Sequence, residues 1–224
     1  MLETYDAPQA LEATAAEAVI GALGDALSAR GRASLIGTGG RSPGPVYDRL
    51  ASAPLAWADV TVSLSDDRFV PPDDPASNAR LVRERLLTGR AATAKFEPLR
   101  HDVATADAAA DIADPRLAAL APYDVVMLGM GEDGHVASLF PGDPRRDAAM
   151  DPSGERFVMG VPAGLGSPPV ARITLTLRAL LSARLTLILI SGVPKRTIIE
   201  ARAGLPVHAL LEHAKAPVRV LWTP

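Results

Sequence analysis

The chain has 224 residues, 48% of them hydrophobic and 22% charged, with a net charge of −3. That is enough apolar material for one α/β domain spanning residues 1–224 with a real core. It leaves no basic stripe of the kind nucleic-acid or membrane-surface binding requires, and the absence of cysteine excludes disulfides, a thiolate nucleophile and a Cys-based zinc site.

In chain order, Pro8 to Arg30 is Ala-rich with apolar residues at helical spacing, and Gly31 stops it. "RASLIGT" reads as a first, buried strand starting near residue 33, "VYDRLAS" as a helix and "VTVSLSD" as a second strand. "SNARLVRERLLTG" reads as a helix with Ser77 as N-cap and Gly89 as stop. Ala104 to Leu120 is helical, with an interruption expected near Pro115. "DVVMLGM", "RFVMGVP" and "RITLTL" read as strands, and "LTLILIS" as a central strand covered on both faces. "PKRTIIEARAG" and "PVHALLEHA" are helical, and "VRVLWT" is a final strand.

This alternation predicts an α/β, Rossmann-like fold: a mostly parallel sheet flanked by helices on both faces. The N-terminal segment has no basic stretch followed by an apolar one, and "LTLILI" is too short to span a bilayer. A soluble cytoplasmic protein is expected, with no nucleic-acid or membrane partner.

Ligands of such sheets bind beyond the carboxyl ends of the strands. The segments found there are "GTGGRSP", "SDDRFVP", "GMGEDGH" and "SGVPK". In the first, the backbone N–H groups around Gly39 and Gly40, with the Ser42 hydroxyl, suit an anion. The second places Asp66 and Arg68 at the sheet edge. Adjacent residues of an extended strand face opposite ways, so Asp66 and Asp67 are not expected to share a site.

The third segment holds Asp133 and His135. Of four histidines, His208 and His213 are spaced i, i+5 and His101 has no polar constellation nearby, so His135 is the best general base for neutral pH. Asp133 is placed to orient it. Arg172 and Lys195 bring positive charge that suits a phosphate. No nucleophile elbow, HExxH zinc motif or P-loop is present. The inventory suits proton transfer or hydrolysis on a small phosphorylated molecule, without a redox cofactor.

"GTGGRSP", "SDDRFVPPDDPASN", "LGMGEDGHVASLFPG", "RITLTL" and "SGVPK" together resemble, in order and over nearly the whole chain, the 6-phosphogluconolactonase family. The third segment is the most specific, and Asp67 stands where the family usually has Glu. The resemblance implies hydrolysis of 6-phospho-D-glucono-1,5-lactone to 6-phosphogluconate in the oxidative pentose phosphate pathway, with no metal or other cofactor; a monomer is expected. It implies His135 as the base that activates water, Asp133 as its neighbour and Arg68 as a substrate contact. Ser42, Arg172 and Lys195 would hold phosphate or sugar hydroxyls.

Two alternatives accompany it. The related amino-sugar-phosphate isomerase/deaminase carries a glutamate a few residues after the histidine, and "HVASLFP" has none, although Asp66 or Asp67 could substitute. A non-catalytic sugar-phosphate sensor would need a DNA-binding module ahead of the first strand, for which one helix leaves no room.

Overall fold

The computed structural model of the chain describes residues 1–201 and 203–224. It opens with strand β1 (Leu2–Thr4), helix α1 (Pro8–Arg30), strand β2 (Ala33–Gly37) and helix α2 (Pro43–Ala51). Strands β3 (Val60–Leu64) and β4 (Asp66–Arg68), helix α3 (Asn78–Arg85), strand β5 (Lys95–Phe96) and helix α4 (Ala106–Leu120) follow. Then come β6 (Val125–Leu128), α5 (Arg146–Met150), β7 (Val158–Val161), β8 (Arg172–Leu175) and α6 (Leu177–Leu181). The chain closes with β9 (Thr186–Ser191), α7 (Val193–Ala201), α8 (Pro206–His213) and β10 (Val218–Thr223).

Seven strands form one sheet in the order β1-β10-β9-β6-β2-β3-β5, and every neighbouring pair is parallel. Strands β2 and β6 are buried at every residue, as is β9 up to Ile190. Burial of both alternating sets of side chains requires cover on both faces, which the helices supply. The expected Rossmann-like sheet is therefore present. Its order reverses between β2 and β6: the chain builds outward through β3 and β5, then returns to build the other half. The loops that follow β2 and β6 diverge from that point and leave a crevice.

Several expectations need correction. The first strand is β1, not the segment near residue 33. Three residues are too few to display a period of two; β1 is ordered by pairing, with Leu2 opposite Val220 and the N-terminal ammonium donating to the Val218 carbonyl at 2.7 Å. Pro115 does not interrupt α4, which runs through it. Its missing hydrogen bond is offset by a buried face of Ala106, Ala109, Ala110, Ala113 and Leu117. The Asp114 carboxylate before it accepts from the Phe157 and Val158 amides at 2.7 and 2.8 Å, which ties α4 to β7.

Helix α3 does begin after Ser77, whose Oγ accepts from the Arg80 amide. It ends at Arg85, and Gly89 instead starts a separate 3-10 turn. The helical reading of 194–204 holds to Ala201; Arg202 lies outside the described residues, and the two residues after it are not helical.

The largest departure is a second sheet, β4-β8-β7, which is antiparallel. Only Ser65 separates β3 from β4, too little chain for a parallel crossover. The strand therefore leaves the main sheet, and β8 pairs with it. Asp66 sits opposite Thr174 and Arg68 opposite Arg172. "SDDR" and "RITL" thus approach the crevice from the side, not from strand ends of the main sheet.

Candidate active site

A cleft of about 720 Å³ opens at the β2/β6 switch point. Its walls include Gly39, Gly40 and Ser42 after β2, Asp66 and Arg68 on β4, His135 after β6, Arg172 on β8, and Lys195 in the first turn of α7. Eight of the nine candidate residues therefore meet in one cavity. The ninth, Asp133, is not on the wall but stands behind His135.

The histidine loop is held by short local bonds. The Gly131 amide donates to the His135 carbonyl at 2.9 Å, and the His135 amide donates to Asp133 Oδ1 at 3.2 Å. The same Oδ1 lies 2.5 Å from His135 Nδ1. A β-carbon on Gly131 would fall 2.2 Å from Nδ1 and Cε1, so only glycine lets the ring fold back over the loop. An Nδ1–H donated to the carboxylate leaves Nε2 for the cleft. The Phe140 ring packs at 4.5 Å from the imidazole, and the Arg172 guanidinium lies 5.3 Å from that same ring.

Facing the histidine is a buried polar network. Asp66 Oδ2 accepts from Ser138 Oγ at 2.5 Å and lies 3.7 Å from Arg172 Nη1. Asn78 Nδ2 donates to the Asp66 carbonyl at 2.9 Å and reaches Oδ1 at 3.3 Å. A β-carbon on Gly39 would fall 1.9 Å from Asn78 Oδ1, so the glycine lets the anion loop close onto this network. Tyr47 fixes that loop at its root: its hydroxyl accepts from the Thr38 amide and donates to the Thr38 carbonyl, both at 2.7 Å.

Arg172 is only 3% exposed. One terminal nitrogen donates to the Ser167 and Pro168 carbonyls, and its buried Nε has no partner among the described residues. Burial lowers its pKa, the Asp66 charge opposes that shift, and Arg68 adds to it. Arg68 donates from Nη1 to the Ala76 carbonyl at 2.7 Å, and its Nε is likewise unpartnered. Ser42 is exposed and makes no capping bond to α2. Lys195 is half-buried, and its pKa is lowered, first by burial; Glu132 opposes that shift and Arg41 adds to it.

Asp67 faces away from the cleft, as strand alternation required. Its Oδ1 accepts from the Asn78 and Arg68 amides at 2.7 and 2.8 Å, and Oδ2 accepts from the Ala79 amide at 3.2 Å. It is a clamp on the start of α3. Burial pushes its pKa up to about 6 despite those amides. A folded pKa above the ordinary carboxyl value means the folded chain holds the proton more tightly. This contribution to stability is present below about pH 4 and is lost as pH rises through 6. The loss is on the order of 2–3 kcal/mol at 1.36 kcal/mol per unit. Urea unfolding of the parent and Asp67→Asn between pH 4 and 7 should show their stability difference declining over that window. A constant difference would mean Asp67 ionises normally.

The sequence did not single out Asn78, Ser138, Phe140 or Arg41. Arg41 was the findable one, a cation inside a loop already read as anion-binding. Asn78 and Ser138 become neighbours of the site through their side-chain hydrogen bonds to Asp66, and Phe140 through its packing near His135 and Arg172. His208 proves structural: its Nδ1 accepts from the Leu205 amide at 3.1 Å, and Nε2 lies 2.7 Å from the Ile198 carbonyl.

The family described as glucosamine-6-phosphate isomerases/6-phosphogluconolactonase matches residues 6–222. A 6-phosphogluconolactonase of Caulobacter vibrioides is 42% identical over 223 residues, covering 99% of this chain and 96% of that protein. One from Rhizobium meliloti is 42% identical, covering 100% and 98%. The crystal structure of a 6-phosphogluconolactonase from Shewanella baltica OS155 superposes with a TM-score of 0.92 at 35% identity, covering 100% of this chain and 97% of that one.

Proposed function

Because this chain belongs to the glucosamine-6-phosphate isomerase/6-phosphogluconolactonase family, we propose that it hydrolyses 6-phospho-D-glucono-1,5-lactone to 6-phosphogluconate in the pentose phosphate pathway, using water activated by His135. The observation that carries this proposal is the His135–Asp133 pair, 2.5 Å apart, on a cleft whose walls also hold Arg41, Arg68, Arg172 and Lys195. One base and a cationic surround are what a phosphorylated ester substrate calls for.

The chemistry needs few parts. His135 Nε2 takes a proton from water as the oxygen attacks the lactone carbonyl carbon. The carbonyl electrons move to oxygen, where the backbone N–H groups of the glycine loop or Arg68 stabilise the charge. The tetrahedral intermediate collapses, the bond to the ring oxygen breaks, and the imidazolium returns its proton to that oxygen. The imidazole is then neutral again, and no covalent intermediate forms. Asp133 holds the ring in the tautomer that leaves Nε2 free and stabilises the imidazolium.

The deaminase reaction of the same family needs a further acid–base group to open a ring and move a proton between carbons. Asp67 is committed to α3, and Asp66 is engaged by Ser138, Asn78 and Arg172. Both facts favour the lactonase. The expected result is rapid hydrolysis of 6-phosphogluconolactone above the spontaneous rate, undiminished in EDTA, with no ammonia released from glucosamine 6-phosphate. Ammonia release at enzymatic rates would replace lactonase by deaminase. Activity lost in EDTA and restored by a divalent ion would move water activation to a metal.

A further inference from the structure

Ala137, on the cleft wall two residues after His135, has φ of 50°. It is the one non-glycine residue with positive φ among the described residues. A side chain in this left-handed region crowds its own backbone, so the conformation persists only where the surroundings impose it. The next residue supplies that constraint. Ser138 is fully buried. Its Oγ donates to Asp66 Oδ2 on β4 at 2.5 Å, and its amide donates to Thr174 Oγ1 on β8 at 3.0 Å. Around the pair, Val136 and Leu139 form a bridge, with the Leu139 amide 3.0 Å from the Val136 carbonyl.

These bonds do more than satisfy a buried hydroxyl. The histidine loop leaves the main sheet after β6, whereas Asp66 and Thr174 belong to the small antiparallel sheet. Ser138 ties that loop to the second sheet by hydrogen bonds to both β4 and β8, beside the packing of Phe140 near Arg172. Asp66 is in turn fixed by Asn78 and faced by Arg172, so the anchor is itself rigid. On its upstream side His135 is held within its own loop by Asp133 and the Gly131 amide, and the Gly134 carbonyl before it accepts from the Val207 amide of α8 at 3.1 Å.

We propose that Ser138 is a positioning residue. By bonding Asp66 and Thr174 it holds the left-handed turn at Ala137, and so fixes where His135 presents its imidazole to the cleft. It cannot touch substrate, because it is buried behind Ala137. The proposal rests on His135 being the base.

The test is a cycle of S138A, A137G and the double variant, read two ways. Amide hydrogen exchange across residues 135–139 follows the turn without reference to chemistry. Lactone hydrolysis gives kcat and KM. S138A should speed exchange in that segment and lower kcat by about 10–100-fold, as for a catalytic group displaced by about an ångström, with KM nearly unchanged. In the A137G background the same substitution should cost much less, because glycine adopts the turn without strain.

Unchanged exchange in S138A, or an equal loss of kcat in both backgrounds, overturns the proposal. If S138A does not fold, the near-isosteric T174V, which removes the acceptor of the Ser138 amide, should give the same faster exchange and lower kcat; unchanged values overturn it. His135→Ala measured alongside separates the two ideas. If that variant keeps its kcat, the base is misassigned, and the exchange arm alone decides whether Ser138 holds the turn.

Discussion

His135→Ala should lower kcat for 6-phosphogluconolactone by about 10²–10⁴-fold, the usual contribution of a general base. The ring is partly solvent-facing and packs chiefly on Phe140, so its removal leaves no large cavity and the fold should persist. The product contacts assigned to the cations are untouched, so 6-phosphogluconate should bind with nearly parent affinity. Asp133→Asn should lose less, because Asp133 is half exposed and water can replace part of its role. Stopped-flow hydrolysis, corrected for the spontaneous rate, measures both variants. A His135→Ala enzyme within a few-fold of the parent would take the imidazole out of the reaction.

The position of that histidine was legible in the sequence for a physical reason. A parallel α/β sheet delivers every strand's carboxyl end to one edge, so polar residues following apolar runs must converge. This located the loops after β2, β6 and β9 without any knowledge of strand order. What the sequence could not carry was pairing. Whether "SDDR" continues the main sheet or turns into a second one depends on β8, more than 100 residues away, and the two strands meet only in three dimensions. Asn78, at the start of α3, and Ser138, in the loop after β6, are missed because each matters through a tertiary bond to Asp66 on β4. Short-range rules did better. Ser77 as a cap and the opposite facing of Asp66 and Asp67 both follow from local geometry. Pro115 is the instructive failure, because the local penalty was real and helix packing outweighed it.

The second large effect concerns phosphate. Gluconolactone lacking its phosphate should be hydrolysed with kcat/KM lower by about 10²–10⁴-fold. Two contacts to a charged group at roughly 1.5–3 kcal/mol each give that range. The chain is acidic overall, so the discrimination must come from local charge, and Lys195 is its cleanest probe. Arg172 is buried against Asp66, and its removal would strand that carboxylate. Lys195 forms the first turn of a helix at the cleft wall, and burial lowers its pKa below the ordinary lysine range. A bound phosphate is near dianionic above its second pKa of about 6 and would stabilise the ammonium.

Affinity for 6-phosphogluconate should therefore fall as pH rises into the alkaline range, earlier than an ordinary lysine would dictate, with proton uptake on binding in that range. Lys195→Arg should shift that limb to higher pH, since a guanidinium stays charged. Lys195→Ala should remove it and weaken binding by about 10–100-fold. Calorimetry across pH in buffers of different ionisation enthalpy reads both the affinity and the proton count. If Lys195→Ala binds the product as tightly as the parent and still rejects the unphosphorylated lactone, the phosphate lies against Arg41, Arg68 and the glycine loop, and Lys195 serves another part of the sugar.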